Sequence, residues 1–121
     1  MLSVQSSPVR PVSNERNIVL FNSPVLTSFG TFSFVPITID EARQLIAGST
    51  WTSAIGHDST ANIVGRLLGI DCPFNRVRHQ QQIGESAIVF RLAARAPEGQ
   101  ILDLNAIERI GYSFGLLTRR T

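Results

Sequence analysis

An α/β fold is predicted for this 121-residue chain: a compact single domain with a mixed β-sheet of about five or six strands flanked by about three helices. Three observations predict it. Short β-branched and apolar runs alternate with stretches whose apolar residues recur at helical spacing. One run, Ala87-Ile88-Val89-Phe90, is continuously apolar, as expected of a strand buried on both faces. Capping and stop residues bracket the helical stretches. The length supports one domain with a real core and is short for two.

Taken in order, residues 1–16 are polar, contain Pro8 and Pro11 and show neither period, so they read as a flexible N-terminal extension to a domain at 17–121. Asn17 to Phe21 reads as a buried first strand that stops at Asn22-Ser23-Pro24. Phe29 to Val35 alternates as a second strand. Thr38 and Glu41 have the capping-box form ahead of a helix over Ile39–Ala47, with Gly48 as its stop. Thr50 to Ile55 favours β structure and leads into a corner at Gly56 and His57. Ala61, Val64, Leu67 and Leu68 then share one face of a second helix that ends at Gly69. Pro73 makes Ile70 to Phe74 a poor central strand. Asn75 to Ile83 is an irregularly polar strand candidate, and Gly84-Glu85 turns into the strand from Ser86 to Leu92. Asp103 caps a short helix bearing Leu104, Ile107 and Ile110, and Tyr112 to Thr118 is the last strand.

Composition removes several classes of function. Hydrophobic residues make up 43% and charged residues 17%, and no apolar run reaches membrane-span length, so no membrane partner is expected. The opening residues lack the basic start and apolar block of a signal peptide. All basic residues are arginine, which excludes a Schiff-base lysine and the Gly-Lys-Ser/Thr phosphate loop. A formal charge of only +2 is far from the footprint of a protein that coats duplex nucleic acid. A small anion held by a few arginines fits better, because a guanidinium grips phosphate oxygens in pairs. Cys72 is the single cysteine, so there is no internal disulfide framework, and it reads as a packed small hydrophobe compatible with a reducing cytosol. His57, Asp58, Cys72 and His79 form no metal-ligand spacing, and neither a metal nor a cofactor is expected.

The stretch Ser53 to Thr60 concentrates the chemistry. It sets His57 after Gly56 and before Asp58, Ser59 and Thr60, at a strand-to-helix corner where free backbone N–H groups and a partial positive charge attract anions. Asn22 and Ser23 fall at another strand's C-terminal end, where ligand loops gather in α/β sheets. The same residues serve equally as N-caps and turn formers, and local pattern alone fits both readings.

Three separated pieces together resemble one family. Asn22-Ser23, then Ile55-Gly56-His57-Asp58-Ser59-Thr60, then Asn75-Arg76-Val77 followed by Arg95-Ala96-Pro97-Glu98-Gly99, occur in the order seen in the viral anti-CRISPR ring nucleases and their bacterial relatives. The resemblance spans about residues 17–121 and is most specific in Gly-His-Asp-Ser-Thr and the Arg-x-x-Glu-Gly loop. It implies a two-fold homodimer in the cytoplasm of a bacterial or archaeal cell. That dimer would bind cyclic tetra-adenylate, the messenger of type III CRISPR defence, at its interface and degrade it without metal. It also implies that His57, Glu98 and Arg95 are catalytic and that Asn22, Ser23, Gly56, Asp58, Ser59, Thr60 and Arg76 belong to the substrate-binding segments. The chain departs from the family pattern in its N-terminal extension, in Pro97 and in the glutamine run after His79.

The expected reaction is attack of a ribose 2′-hydroxyl on its own 3′-phosphate, leaving a 2′,3′-cyclic phosphate and a free 5′-hydroxyl. His57 would protonate the leaving oxygen, since imidazole has a pKa of about 6.5 and suits general-acid work near neutral pH. Arg95 would stabilise the phosphate charge, and Glu98 would orient His57 or act as base. The alternatives are a dimer that sequesters the cyclic nucleotide uncut, or a structural or nucleic-acid-binding dimer.

Overall fold

The computed structural model describes residues 17–94 and 103–121. The described elements are β1 (Asn17–Phe21), β2 (Phe32–Ile37), α1 (Ile39–Ala47), β3 (Thr50–Ser53), α2 (Asp58–Leu68), β4 (Ser86–Leu92), α3 (Leu104–Ile110) and β5 (Tyr112–Arg119). They form the expected α/β architecture, with a five-stranded mixed sheet in the order β2-β5-β4-β1-β3. β1 lies parallel to both β3 and β4, with Ile18 opposite Trp51 and Ser86. β5 runs antiparallel to β4 and β2.

Alternation along the strands divides the core into two layers. Ile18, Leu20, Ile88, Phe90 and Phe114 point to one face, where Ala42 and Ile46 of α1, Ala61, Val64 and Leu67 of α2, and Ile107 of α3 cover them. Val19, Phe21, Ala87, Val89 and Leu117 point to the other face and form a smaller cluster with Phe32 and Ala54. β4 therefore has no polar face through its first five residues, and the burial of Ser86–Phe90 accounts for the continuous apolar run.

The helix signals operate as expected at α1 and α3. Thr38 Oγ1 accepts from Glu41 N at 3.0 Å while Thr38 N donates to Glu41 Oε1 at 2.8 Å, a complete capping box. Asp103 Oδ1 accepts from Ala106 N at 2.8 Å. Gly69 ends α2 at φ 72°, a left-handed conformation that favours glycine. Inside α2, a Cβ on Gly65 would lie 2.7 Å from the Ile70 carbonyl oxygen, so the bare glycine lets segment 70–72 close against the helix.

Two sequence expectations change. Asn75–Ile83 is not a strand. Its polar side chains satisfy backbone groups of neighbouring segments instead of a ladder. Buried Gln81 donates from Nε2 to the carbonyls of Glu85 and Leu117, both at 3.0 Å, and the His79 ring lies 6.2 Å from Phe21. The second strand begins at Phe32, later than Phe29, which is 98% exposed. Gly30 precedes it at φ 144°, outside strand geometry. The expected extension at 1–16 lies outside the described residues.

Candidate functional site

Because β1, β3 and β4 are parallel neighbours, their C-terminal ends open at one edge of the sheet, the place where α/β sheets hold ligands. Asn22-Ser23 follows β1, Ala54 to His57 follows β3, and Ala93 follows β4.

The corner after β3 is held by contacts that the sequence did not reveal, although Asn75 and Arg76 stood in a motif there. Ala54 N donates to Leu20 O at 2.9 Å, extending the β1 pairing past the strand. Buried Ser53 turns the chain, its Oγ accepting from Ile55 N at 3.2 Å and from the Cys72 thiol at 3.7 Å. Asn75 then clamps the corner from outside, donating Nδ2 to Ser53 O at 2.7 Å and its backbone N to Ile55 O at 2.9 Å. Arg76 continues the clamp with Nε and Nη2 on Gly56 O at 3.4 and 3.3 Å. Asn75 appeared in the sequence as part of a motif, but its role as a clamp depends on a contact across 22 residues that no local pattern encodes.

His57 occupies the N-cap position of α2 in extended conformation and makes no side-chain capping bond. This corrects the capping roles open to Asp58, Ser59 and Thr60: Asp58 is already in the first turn, and none of the three closes the helix end. The physical reason is register, since Ala61 N bonds to His57 O and so starts the helix one residue earlier than a cap at Asp58 would. Among the described residues, the side chains of Asn22, Ser23, His57, Ser59 and Thr60 have no hydrogen-bond partner. His57, Asp58 and Ser59 are exposed and Thr60 is half-buried. Gly56 has an ordinary φ, and a Cβ there would meet Arg76 Cγ at 3.4 Å, which is normal contact.

Two grooves flank this edge. One, of about 190 Å³, is lined by Phe21, Asn22, Ser23, Ala54, Val77 and His79 among others. The other, of about 600 Å³, runs beside α2 and includes Asp58, Ser59, Arg66, Asp71 and Asp103. Its three carboxylates against one arginine make it a poor seat for an anion. The structure therefore places both Asp58 and Ser59 along the carboxylate-rich groove, apart from the lining of the Asn22-Ser23 groove. His57 lines neither groove and stands next to the Gly56 carbonyl that Arg76 holds. Arg95 and Glu98 lie outside the described residues.

Burial pushes the Cys72 thiol up from its ordinary pKa; the hydrogen bond to Ser53 acts in the opposite sense, and Asp71 raises it further. Cys72 is thus a packed, buried thiol, as the sequence predicted. Among the described residues no group of three or more His, Cys, Asp or Glu side chains is placed to hold a metal, and no helix is long and apolar enough to cross a membrane.

Residues 18–114 match the family model described as STIV B116-like. The chain is 38% identical over 104 residues to YddF of Bacillus subtilis (strain 168), covering 84% of this chain and 96% of that protein. It is 33% identical over 91 residues to ORF117 of Acidianus two-tailed virus, covering 73% and 78%. The solved structure of B116 of Sulfolobus turreted icosahedral virus superposes with a TM-score of 0.66 at 27% identity, covering 85% of this chain and 99% of B116.

Proposed function

The chain belongs to the STIV B116-like family, and from that premise we propose that it is a metal-independent ring nuclease that cleaves cyclic tetra-adenylate to linear di-adenylates and so switches off type III CRISPR signalling. The observation that carries the proposal is the state of His57. A histidine kept for the fold at this corner would cap α2 or bond a neighbour; His57 does neither among the described residues and is exposed at the edge where three parallel strands end.

The chemistry follows from what surrounds it. The first turn of α2 presents backbone N–H groups that no side chain caps, and these suit the non-bridging oxygens of a phosphodiester. Arg76 places a cation one residue from His57; its fork uses two of five N–H donors on Gly56 O and has three left for phosphate. The ribose 2′-hydroxyl gives up its proton to solvent water as its oxygen attacks the adjacent phosphorus in line, and the bond to the 5′-oxygen breaks. That oxygen takes its proton from the His57 imidazolium, and the products carry a 2′,3′-cyclic phosphate and a 5′-hydroxyl. Ser59 and Thr60 offer hydroxyls in the same turn, and Asn22 and Ser23 face the ligand from the end of β1. Arg95 and Glu98 would join from the segment after β4, Arg95 stabilising phosphate charge and Glu98 orienting His57. A two-fold dimer would present two such corners to a ring of matching symmetry, giving two cuts.

The test is end-group analysis of labelled cyclic tetra-adenylate after incubation with the protein, with and without EDTA. Linear di-adenylates with cyclic phosphate ends, unaffected by EDTA, are expected. An intact ring, or activity lost to EDTA, overturns the proposal, and tight binding of an intact ring assigns sequestration instead.

A further inference from the structure

The proposed reaction gives Arg76 a part and leaves its neighbour Asn75 without one. His57 makes no side-chain capping bond, so the place of its ring follows from the backbone that delivers it. That backbone carries a bond at each peptide plane between β3 and the helix. The plane between Ser53 and Ala54 is held on both edges: Ala54 N donates to Leu20 O at 2.9 Å, and Asn75 Nδ2 donates to Ser53 O at 2.7 Å. The next plane is held by Ile55 N on Ser53 Oγ at 3.2 Å. The one after it is held by Asn75 N on Ile55 O at 2.9 Å, and the plane entering His57 by Arg76 on Gly56 O at 3.4 and 3.3 Å. Beyond that point the helix takes over, with Ala61 N on His57 O at 2.9 Å.

Asn75 thus holds two of these planes, one with its side chain and one with its main chain, and the side-chain bond is the shortest of the set. It lines neither groove. An asparagine amide supplies the N–H that Ser53 O requires; an ionised aspartate of the same shape only accepts and would set oxygen against oxygen. Asn75 is exposed, so the loss of this one bond costs the fold little. The cost to the reaction is larger. A general acid must lie within hydrogen-bond reach of the leaving oxygen, and a misplacement of about 1 Å can cost about 10²-fold. We infer that Asn75 is a positioning residue: its bond to Ser53 O sets the His57 imidazole at the leaving oxygen, and Asn75 acts on turnover only through His57. The inference rests on the ring-nuclease reading for the reaction, and on the hydrogen bonds alone for the placement of His57.

The test is a cycle of Asn75→Ala, His57→Ala and the double variant, assayed on cyclic tetra-adenylate. Asn75→Ala keeps the main-chain bond to Ile55 O and removes only the bond to Ser53. It should lower kcat about 10- to 100-fold, leave KM within about threefold and lower Tm by no more than about 8 °C. In the His57→Ala background the same substitution should cost less than about twofold, because the acid it places is gone. Asn75→Asp, which keeps the shape and loses the donor, should be no faster than Asn75→Ala. Wild-type kcat in either single variant, an equal loss with and without His57, a raised KM in place of a lowered kcat, or a loss that follows unfolding overturns the positioning role. NMR separates this inference from the nuclease reading, since the chain has two histidines and His79, bonded to Glu85 at 3.0 Å, serves as the reference signal. Asn75→Ala should displace or broaden the His57 ring signal. If the wild-type protein leaves the ring intact, the nuclease reading fails and this signal still decides the placement: a displaced His57 signal supports it and an unmoved one overturns it.

Discussion

At the N-terminal ends of β1 and β4 the polar side chains are tied to one another, whereas at the C-terminal ends of the same strands several are tied to nothing described. Glu85 is the hub of the first region: its carboxylate accepts from His79 Nε2 at 3.0 Å, Gln82 N at 2.8 Å and Asn17 Nδ2 at 3.1 Å. Beside it Ser86 and Thr118 share a hydroxyl bond at 2.9 Å, and Arg119 at the end of β5 donates to Gln81 O at 2.7 Å and Phe29 O at 3.3 Å. In the second region the backbone is clamped just as firmly, by Asn75 and Arg76, but the side chains of Asn22, Ser23, His57, Ser59 and Thr60 have no described partner. A buried or half-buried polar group that is paired fixes a fold. Exposed polar groups on a fixed backbone stay accessible to solvent or a ligand. The two histidines express the contrast: His79 is a bonded structural ring that also walls a groove, and His57 is an exposed ring at a helix entrance with no side-chain capping bond.

The largest expected effect concerns the substrate at the second region. A cyclic tetra-adenylate carrying 2′-O-methyl groups should bind with near-native affinity and remain uncut, because its nucleophile is blocked; cleavage of that ring would show that water attacks and that the corner works differently. The next effect belongs to the first region. Glu85→Ala removes the acceptor for three donors in a side chain only 10% exposed and should destabilise the fold by about 1.5–3 kcal/mol in denaturant unfolding. Gly65→Ala should cost about 1 kcal/mol or more, the clash with the Ile70 carbonyl outweighing the gain in helix propensity. Gly56→Ala is the smallest: with ordinary φ and normal contact to Arg76, it should shift unfolding by less than about 0.5 kcal/mol. A larger loss there would mean that the corner carries stability as well as ligand-facing groups.

What the sequence made legible was local. The capping box at Thr38, the α2 stripe of Ala61, Val64 and Leu67, and the apolar run at Ala87 to Phe90 each report a short-range physical rule, and each lies where the pattern placed it. The placement of Asn22-Ser23 at the end of β1 also followed from a local stop signal. Asn75 to Ile83 misled because a polar, β-tolerant segment without a periodic face is settled by distant partners, here the carbonyls of Ser53 and Leu117. The cap of α2 shifted to His57 because register along the chain, not hydroxyl preference, set the first helical bond. The Asn75 clamp, the Glu85 hub and the groove between Asn22 and His79 all join segments far apart in sequence. The Arg95 and Glu98 expectations lie outside the described residues.

The central claim is that the unpaired edge acts on substrate while the paired edge holds the fold, and His57→Ala tests it most directly when single-turnover cleavage and unfolding free energy are measured on one preparation. The account predicts that cleavage of cyclic tetra-adenylate falls by about 10²- to 10⁴-fold while stability stays within about 0.5 kcal/mol of wild type. Cleavage at the wild-type rate, or a loss of activity that simply follows unfolding, would contradict it.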